Sequence, residues 1–288
     1  GAGGRIGSSL VEELLGIKDI KVVALNEILG AKHLVSRYRD FADVNYFSDN
    51  EIKINGESVA VYSEKKASEI PWLVHGVKIV EECSGFYCDG EGNADARAHL
   101  GNGVERVIVS APAKGDGLAT LIMGVNHKKF VPAKHTYISN ASCTTKALAG
   151  PLKILVDAEI KVESLLMDTV HASTSSQQVL ETLNNIVLAG TGAASATGLV
   201  ISDLAGRMGG FAARVPTTDG SFANIYLVGV YKGDLDKEKI NSIFQERLSK
   251  EYYCGRVGYL GGEEISSRDD IVGDKRNGIV IGHYTNVR

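Results

Sequence analysis

Apolar positions follow two rhythms along this chain, one helical and one alternating, and the rhythm changes near its middle. Gly1-Ala2-Gly3-Gly4-Arg5-Ile6-Gly7 leads into Ser8-Ser9-Leu10-Val11-Glu12-Glu13-Leu14-Leu15, whose apolar residues return at helical spacing, so a glycine-rich turn opens a helix. Ile20-Lys21-Val22-Val23-Ala24-Leu25 is a β-branched run ending at Asn26-Glu27, which predicts a buried strand followed by an acid. Together they make half of a mononucleotide-binding unit. Further strands are predicted over 77–83, 106–110 and 136–139, with a helix over 94–100. Within 51–63, Asn55-Gly56 stands between apolar alternations, a hairpin signal beside a parallel sheet. The first half therefore reads as α/β. Beyond Thr144 the strands lengthen, over 164–174, 210–215 and 222–231, with helices over 192–204 and 236–250, an α+β pattern. The boundary is expected near Ser142, giving domains 1–142 and 143–288.

Length and composition support this division. A chain of 288 residues exceeds one typical domain, and 44% hydrophobic residues can fill a core in each half. The net charge of −4 gives no basic surface for a phosphate backbone, so nucleic acid is not an expected partner. No apolar run approaches a membrane span, and a water-soluble chain without a membrane partner is expected. The cysteines, Cys83, Cys88, Cys143 and Cys254, are too scattered for a disulfide framework, which suits a reducing, cytoplasmic setting. No metal is expected.

Four places carry candidate chemistry. In the opening turn a fingerprint of three glycines would bring a pyrophosphate onto the helix start; aligned on Gly7 the first position is Ala2, and aligned on Gly1 the last is Ile6. An ordinary glycine-rich turn remains open for this segment alone. Glu27, about 20 residues on, lies where a carboxylate receives ribose hydroxyls and disfavours a 2′-phosphate, which favours NAD over NADP. Ser139-Asn140-Ala141-Ser142-Cys143-Thr144-Thr145 follows a strand and precedes a helical run. Cys143 would thus sit at a helix N-terminus, where unpaired N–H groups and the dipole favour thiolate. The alternative is a buried inert cysteine, against which the flanking hydroxyls argue. Last, Asp168-Thr169-Val170-His171-Ala172-Ser173-Thr174 puts His171 on a β-branched strand, and periodicity cannot bring it to Cys143.

The cysteine and histidine segments together resemble the catalytic signature of the glyceraldehyde-3-phosphate dehydrogenase family. Other similar stretches follow in the same order: Gly4-Arg5-Ile6-Gly7, Ser110-Ala111-Pro112-Ala113-Lys114-Gly115, Gly124-Val125-Asn126, Thr191-Gly192-Ala193-Ala194, Arg214-Val215-Pro216 and Ile271-Val272-Gly273-Asp274. The resemblance implies an α/β Rossmann-type NAD-binding domain followed by an α+β catalytic domain with a mainly antiparallel sheet. It implies oxidation of glyceraldehyde 3-phosphate, with inorganic phosphate, to 1,3-bisphosphoglycerate in glycolysis. Cys143 would be the nucleophile, its backbone N–H an oxyanion donor, and His171 the base. Ser142, Thr144, Thr191 and Gly192 would hold the attacking phosphate, and Thr174 and Arg214 the substrate phosphate. For Arg214 the plainer reading is a surface salt bridge, disfavoured by the apolar strand around it. Gly4, Arg5, Ile6, Glu27 and Ser110 would meet NAD, and the assembly would be a homotetramer.

The chain also departs from the family pattern. Lys146 stands where asparagine is usual, and the segment from Gln177 to Gly190 is short and holds no basic residue. A first strand before Gly1 and a strand and helix after Arg288 are missed, so an intact mass above that of the 288 residues is expected. Two alternatives stay open. Erythrose-4-phosphate dehydrogenase is favoured by Glu27 after Asn26 and by Gln177-Gln178, and disfavoured by Ser110 to Gly115 and His171-Ala172. A non-catalytic binding or scaffolding member would suit the short loop but not the retention of Cys143 and His171. A cysteine hydrolase leaves Glu27 without a role.

Overall fold

Hydrophobic alternation becomes two units in the computed structural model, which describes residues 1–101, 103–173, 183–250 and 252–288. One unit is Gly1–Thr120 with Phe130–Ala141; the other is Leu121–Lys129 with Ser142–Arg288. The expectations at Thr174, Gln177 and Gln178 fall outside the described residues.

The first unit begins with α1 (Arg5–Leu15), β1 (Ala24–Asn26), α2 (Ala31–Tyr38), β2 (Val44–Ser48), β3 (Glu51–Ile54) and β4 (Glu57–Tyr62). These strands make a sheet ordered β1-β4-β3-β2, in which β1 pairs parallel with β4 and the other pairings are antiparallel. The β3–β4 hairpin closes on Asn55 (φ 50°) and Gly56 (φ 85°), two left-handed residues whose twist matches that of the strands. Alternation then buries Ile52, Ile54, Val59 and Val61 against Leu34 and Tyr38 of α2. The predicted strand over 20–25 enters its ladder only at Ala24, although the Val23 carbonyl already accepts from Ala60 N–H.

The rest of this unit is a parallel sheet of β5 (Ile79–Glu82), β6 (Arg106–Val109), β7 (Leu118–Thr120) and β8 (Tyr137–Ser139), ordered β5-β6-β8-β7. Where one helix was expected over 94–100, two 3₁₀ turns, Gly92–Ala94 and Ala96–His99, stand instead. Asp95 divides them, because its carboxylate accepts from the Arg97 backbone and guanidinium and holds its own backbone extended. Beneath β5 a buried polar chain runs from Trp72 Nε1 to His99 Nδ1 (3.1 Å) and from His99 Nε2 to Glu82 (3.1 Å). Burial pushes the Glu82 carboxyl up, but the bonds from His99 and from Ser84 outweigh it and hold it below its ordinary range.

The second unit contains α3 (Cys143–Asp157), β9 (Lys161–Ala172), β10 (Val187–Gly190), α4 (Ala193–Val200), β11 (Met208–Val215), β12 (Ser221–Val230), α5 (Lys237–Leu248), β13 (Val257–Leu260) and β14 (Gly278–Ile281). The main sheet is ordered β10-β11-β9-β12; β11 and β9 are parallel and the two outer pairings antiparallel. Leu165, Met167 and Thr169 of β9 are buried on one face, α4 packs on β11, and α3 packs on α4, α5 and the parallel β13–β14 pair. Among the described residues the other face of the sheet stands open. On it Leu166, Tyr226, Phe211 and Val228 are 63%, 62%, 50% and 59% exposed, with Leu166 paired directly to Tyr226. No helix among the described residues is long and apolar enough to cross a membrane.

Candidate active site

Cys143 owes its position to the start of α3. Ala141 turns the backbone in the left-handed region (φ 56°), Ser142 returns to extended geometry, and the helix begins at Cys143. The Ser142 hydroxyl accepts from the Thr145 backbone N–H (3.0 Å) and bonds the Thr145 hydroxyl (2.7 Å), the behaviour of an N-cap. That side chain is therefore committed to the helix. Cys143 is exposed, whereas Cys83 and Cys88 are half-buried and burial pushes their thiols up.

His171 reaches Cys143 from the last turn of the ladder on β9, with Nε2 3.4 Å from Sγ. This bond is the main reason the Cys143 thiol is pushed down to about 7; the charge of His171 and the Thr144 hydroxyl add to it, against desolvation of the sulfur by the groups around it. His171 is raised in turn, first by Cys143 and then by the Ala172 carbonyl, while burial and the Arg214 charge oppose the rise. Arg214 comes from the neighbouring strand. Parallel register pairs it with His171, and its Nη1 lies 2.6 Å from His171 Nδ1. Among the buried side-chain nitrogen and oxygen atoms of the described residues, Arg214 Nε is the one left without a hydrogen-bond partner. A planar cation with an unused donor is suited to an anion.

Cys143, Thr144, His171 and Arg214 are thus brought together. Thr191 and Gly192 stand at the start of α4, where the Thr191 hydroxyl accepts from Ala193 N–H (3.2 Å), and no hydrogen bond joins them to Cys143 among the described residues. The left-handed turn at Ala141 has no glycine to announce it, and pattern reading missed it.

The glycine turn occupies the first unit. A Cβ at Gly7 would collide with the Gly1 carbonyl and with Ala2, so only glycine lets the turn close onto α1. Gly4 precedes that helix in extended geometry, no side chain caps it, and its first turn holds no acid. Glu27 is buried, and its carboxylate accepts from Gly3 N–H (2.7 Å) and Leu29 N–H (3.2 Å). The Ser110 N–H donates to the Glu82 carbonyl (2.9 Å) at the end of β5.

Residues 142–288 match the family model described as glyceraldehyde 3-phosphate dehydrogenase, C-terminal domain, and residues 2–90 match its NAD binding domain. The chain belongs to this family. Glyceraldehyde-3-phosphate dehydrogenase 1 of Bacillus cereus is 35% identical over 89% of this chain and 79% of its own. Glyceraldehyde-3-phosphate dehydrogenase 2 of Streptomyces avermitilis is 36% identical over 94% and 83%, and the Chlamydia muridarum enzyme 37% over 77% and 70%. The fold is the Rossmann-type unit with an α+β partner that the family implies, and the cofactor of this oxidoreductase is NAD. The turn fits that cofactor. An uncapped helix start without acids suits a pyrophosphate at Gly4, Arg5 and Ile6, and Glu27 keeps lone pairs for ribose hydroxyls beyond its two backbone bonds.

Proposed function

We propose that this chain oxidises glyceraldehyde 3-phosphate to 1,3-bisphosphoglycerate with inorganic phosphate, through a thioester on Cys143, as a step of glycolysis in the cytoplasm. The observation that carries this reading is the 3.4 Å contact between Cys143 Sγ and His171 Nε2. A thiol lowered to about 7 supplies thiolate at neutral pH without losing its nucleophilicity. The thiolate adds to the aldehyde carbon, forming a C–S bond, and the Cys143 backbone N–H, free of a helical acceptor at this position, supports the oxygen that gains charge. His171 Nε2, which has taken the thiol proton, gives it to that oxygen to make the hemithioacetal hydroxyl and takes it back as the C–H leaves as hydride. NAD, when bound, supplies the acceptor for that hydride. Phosphate oxygen then attacks the thioester, the C–S bond breaks, and Cys143 returns as thiolate.

Arg214, with Thr174, holds the substrate phosphate in this reading; Thr144, Thr191, Gly192 and the backbone of Ser142 hold the attacking one. Gly4, Arg5, Ile6, Glu27 and Ser110 hold the cofactor. Copies of this chain cover the open apolar face of the main sheet, giving a homotetramer. The test compares substrates. Arg214→Ala should lower kcat/KM for glyceraldehyde 3-phosphate by about 10- to 150-fold, the worth of a charge-assisted bond, and that for unphosphorylated glyceraldehyde far less. Equal losses would remove Arg214 from phosphate binding, and faster turnover of erythrose 4-phosphate by the native enzyme would reassign the substrate.

A further inference from the structure

Trp72, His99 and Glu82 are all buried, and the hydrogen bonds that join them run in one direction only. An indole nitrogen donates and never accepts, so Trp72 Nε1–H fixes His99 Nδ1, 3.1 Å away, as a bare acceptor. The ring proton then sits on Nε2, which donates to Glu82 Oε2 at 3.1 Å. Glu82 Oε1 accepts in turn from the Ser84 backbone N–H at 2.5 Å. With a donor facing each oxygen the carboxyl favours its ionised form, in keeping with its place below the ordinary carboxylate range. A buried carboxylate is a costly way to hold a fold, since apolar residues of the same volume often serve as well. Its output here is the fixed position of one backbone N–H.

The backbone so fixed borders the glycine turn. A Cβ at Gly1 would stand 2.6 Å from Ser84 Cα and 2.7 Å from its nitrogen, so the turn rests directly on this segment. The Gly1 carbonyl accepts from Gly4 N–H (3.2 Å), and Gly4 leads into the uncapped start of α1. On the other side the Glu82 carbonyl accepts from Ser110 N–H (2.9 Å). Two segments assigned to the cofactor therefore hang on one residue. We propose that Glu82 is a positioning residue for NAD: its carboxylate, aimed by His99 and Trp72, holds the Ser84 backbone as the seat of the glycine turn, so that the N–H groups of Arg5 and Ile6 are set for the pyrophosphate before NAD arrives. The inference rests on the reading that this turn receives NAD. Donors already in place bind an anion without an ordering cost. Loss of the chain weakens NAD binding in a protein that is still folded, an effect that a purely structural role would not produce.

Calorimetric titration with NAD at one neutral pH measures the affinity, and urea unfolding followed by the emission of Trp72, the one tryptophan of the chain, shows that each variant is folded under those conditions. Glu82→Gln keeps the size but turns an NH2 group against either His99 Nε2–H or Ser84 N–H, so one bond is lost. NAD affinity should fall by about 10- to 150-fold, the worth of a hydrogen bond to a charged group. His99→Leu strips the carboxylate of one donor and should weaken NAD by about fivefold, the difference between a charged and a neutral acceptor. His99→Gln, whose NH2 group stands where Nε2 stood, should bind NAD close to the native affinity. Native affinity in folded Glu82→Gln and His99→Leu overturns the positioning role and leaves the place of the cofactor untouched. Arg5→Pro tests that place separately, because it deletes one backbone N–H at the first helical position, where proline is well tolerated. Native affinity in Arg5→Pro overturns the cofactor reading of the turn and the inference with it. Should Glu82→Gln not fold, the two His99 variants decide alone, and equal NAD affinity in both overturns the inference.

Discussion

Cys143 is the residue whose environment decides most. Desolvation of the sulfur by its neighbours works against the thiolate although the residue as a whole is exposed, and the bond to His171, the charge of that ring and the Thr144 hydroxyl outweigh it. With its thiol at about 7, roughly a tenth is thiolate at pH 6 and about nine-tenths at pH 8, since each pH unit is tenfold. Its alkylation by iodoacetamide should therefore rise with pH about a midpoint near 7, ahead of Cys83 and Cys88, whose thiols burial pushes up. His171→Asn should move that midpoint upward, because the largest lowering cause is gone. Peptide mapping at several pH values checks both, and a midpoint in the ordinary thiol range for the native protein would contradict the activation. The sequence located this cysteine at a helix start, but not its partner.

Among the elements, α3 carries the nucleophile and is held by an unusual approach of β14. Pro151 inside the helix has no N–H for the carbonyl one turn back, and Gly278 of β14 lies against that turn. A Cβ at Gly278 would stand 2.5 Å from the Ala147 carbonyl oxygen and 2.8 Å from its Cα, backbone atoms that cannot yield without shifting the helix. Gly278→Ala should cost about 1–3 kcal/mol by overpacking, read as a lower urea midpoint. Gly190→Ala, where a Cβ meets no described residue within 4 Å, should be close to neutral and serves as control. A native midpoint in the first variant would show that the strand has room to move. The strand that brings Gly278 against the Ala147 carbonyl lies far along the chain, and nothing near either residue in sequence foretells that approach.

For the whole molecule, the open face of the β10-β11-β9-β12 sheet carries apolar side chains exposed among the described residues. Leu166, Phe211, Tyr226 and Val228 leave apolar area in water that association would remove. On the homotetramer proposal, sedimentation at micromolar concentration should give four times the mass of one chain. Tyr226→Asp, which places a charge beside Leu166 in the pairing register, should reduce that mass while leaving the fold intact by circular dichroism. A native protein that sediments as one chain would end the proposal.

Local physics made much of this protein readable without coordinates. The glycine turn before α1, the Asn55-Gly56 hairpin, the strand carrying His171 and the helix beginning at Cys143 follow from spacing, positive φ and capping chemistry within a few neighbours. What lay beyond reach were agreements between distant residues. His171 meets Cys143 across 28 positions and Arg214 across 43, and the second meeting depends on a parallel register between β9 and β11 that no single segment encodes. One residue of slip would turn Arg214 to the opposite face. Sequence determined which chemistry the chain owns; tertiary structure decided which of those groups stand within a hydrogen bond of one another, because register is set by burial of the whole sheet.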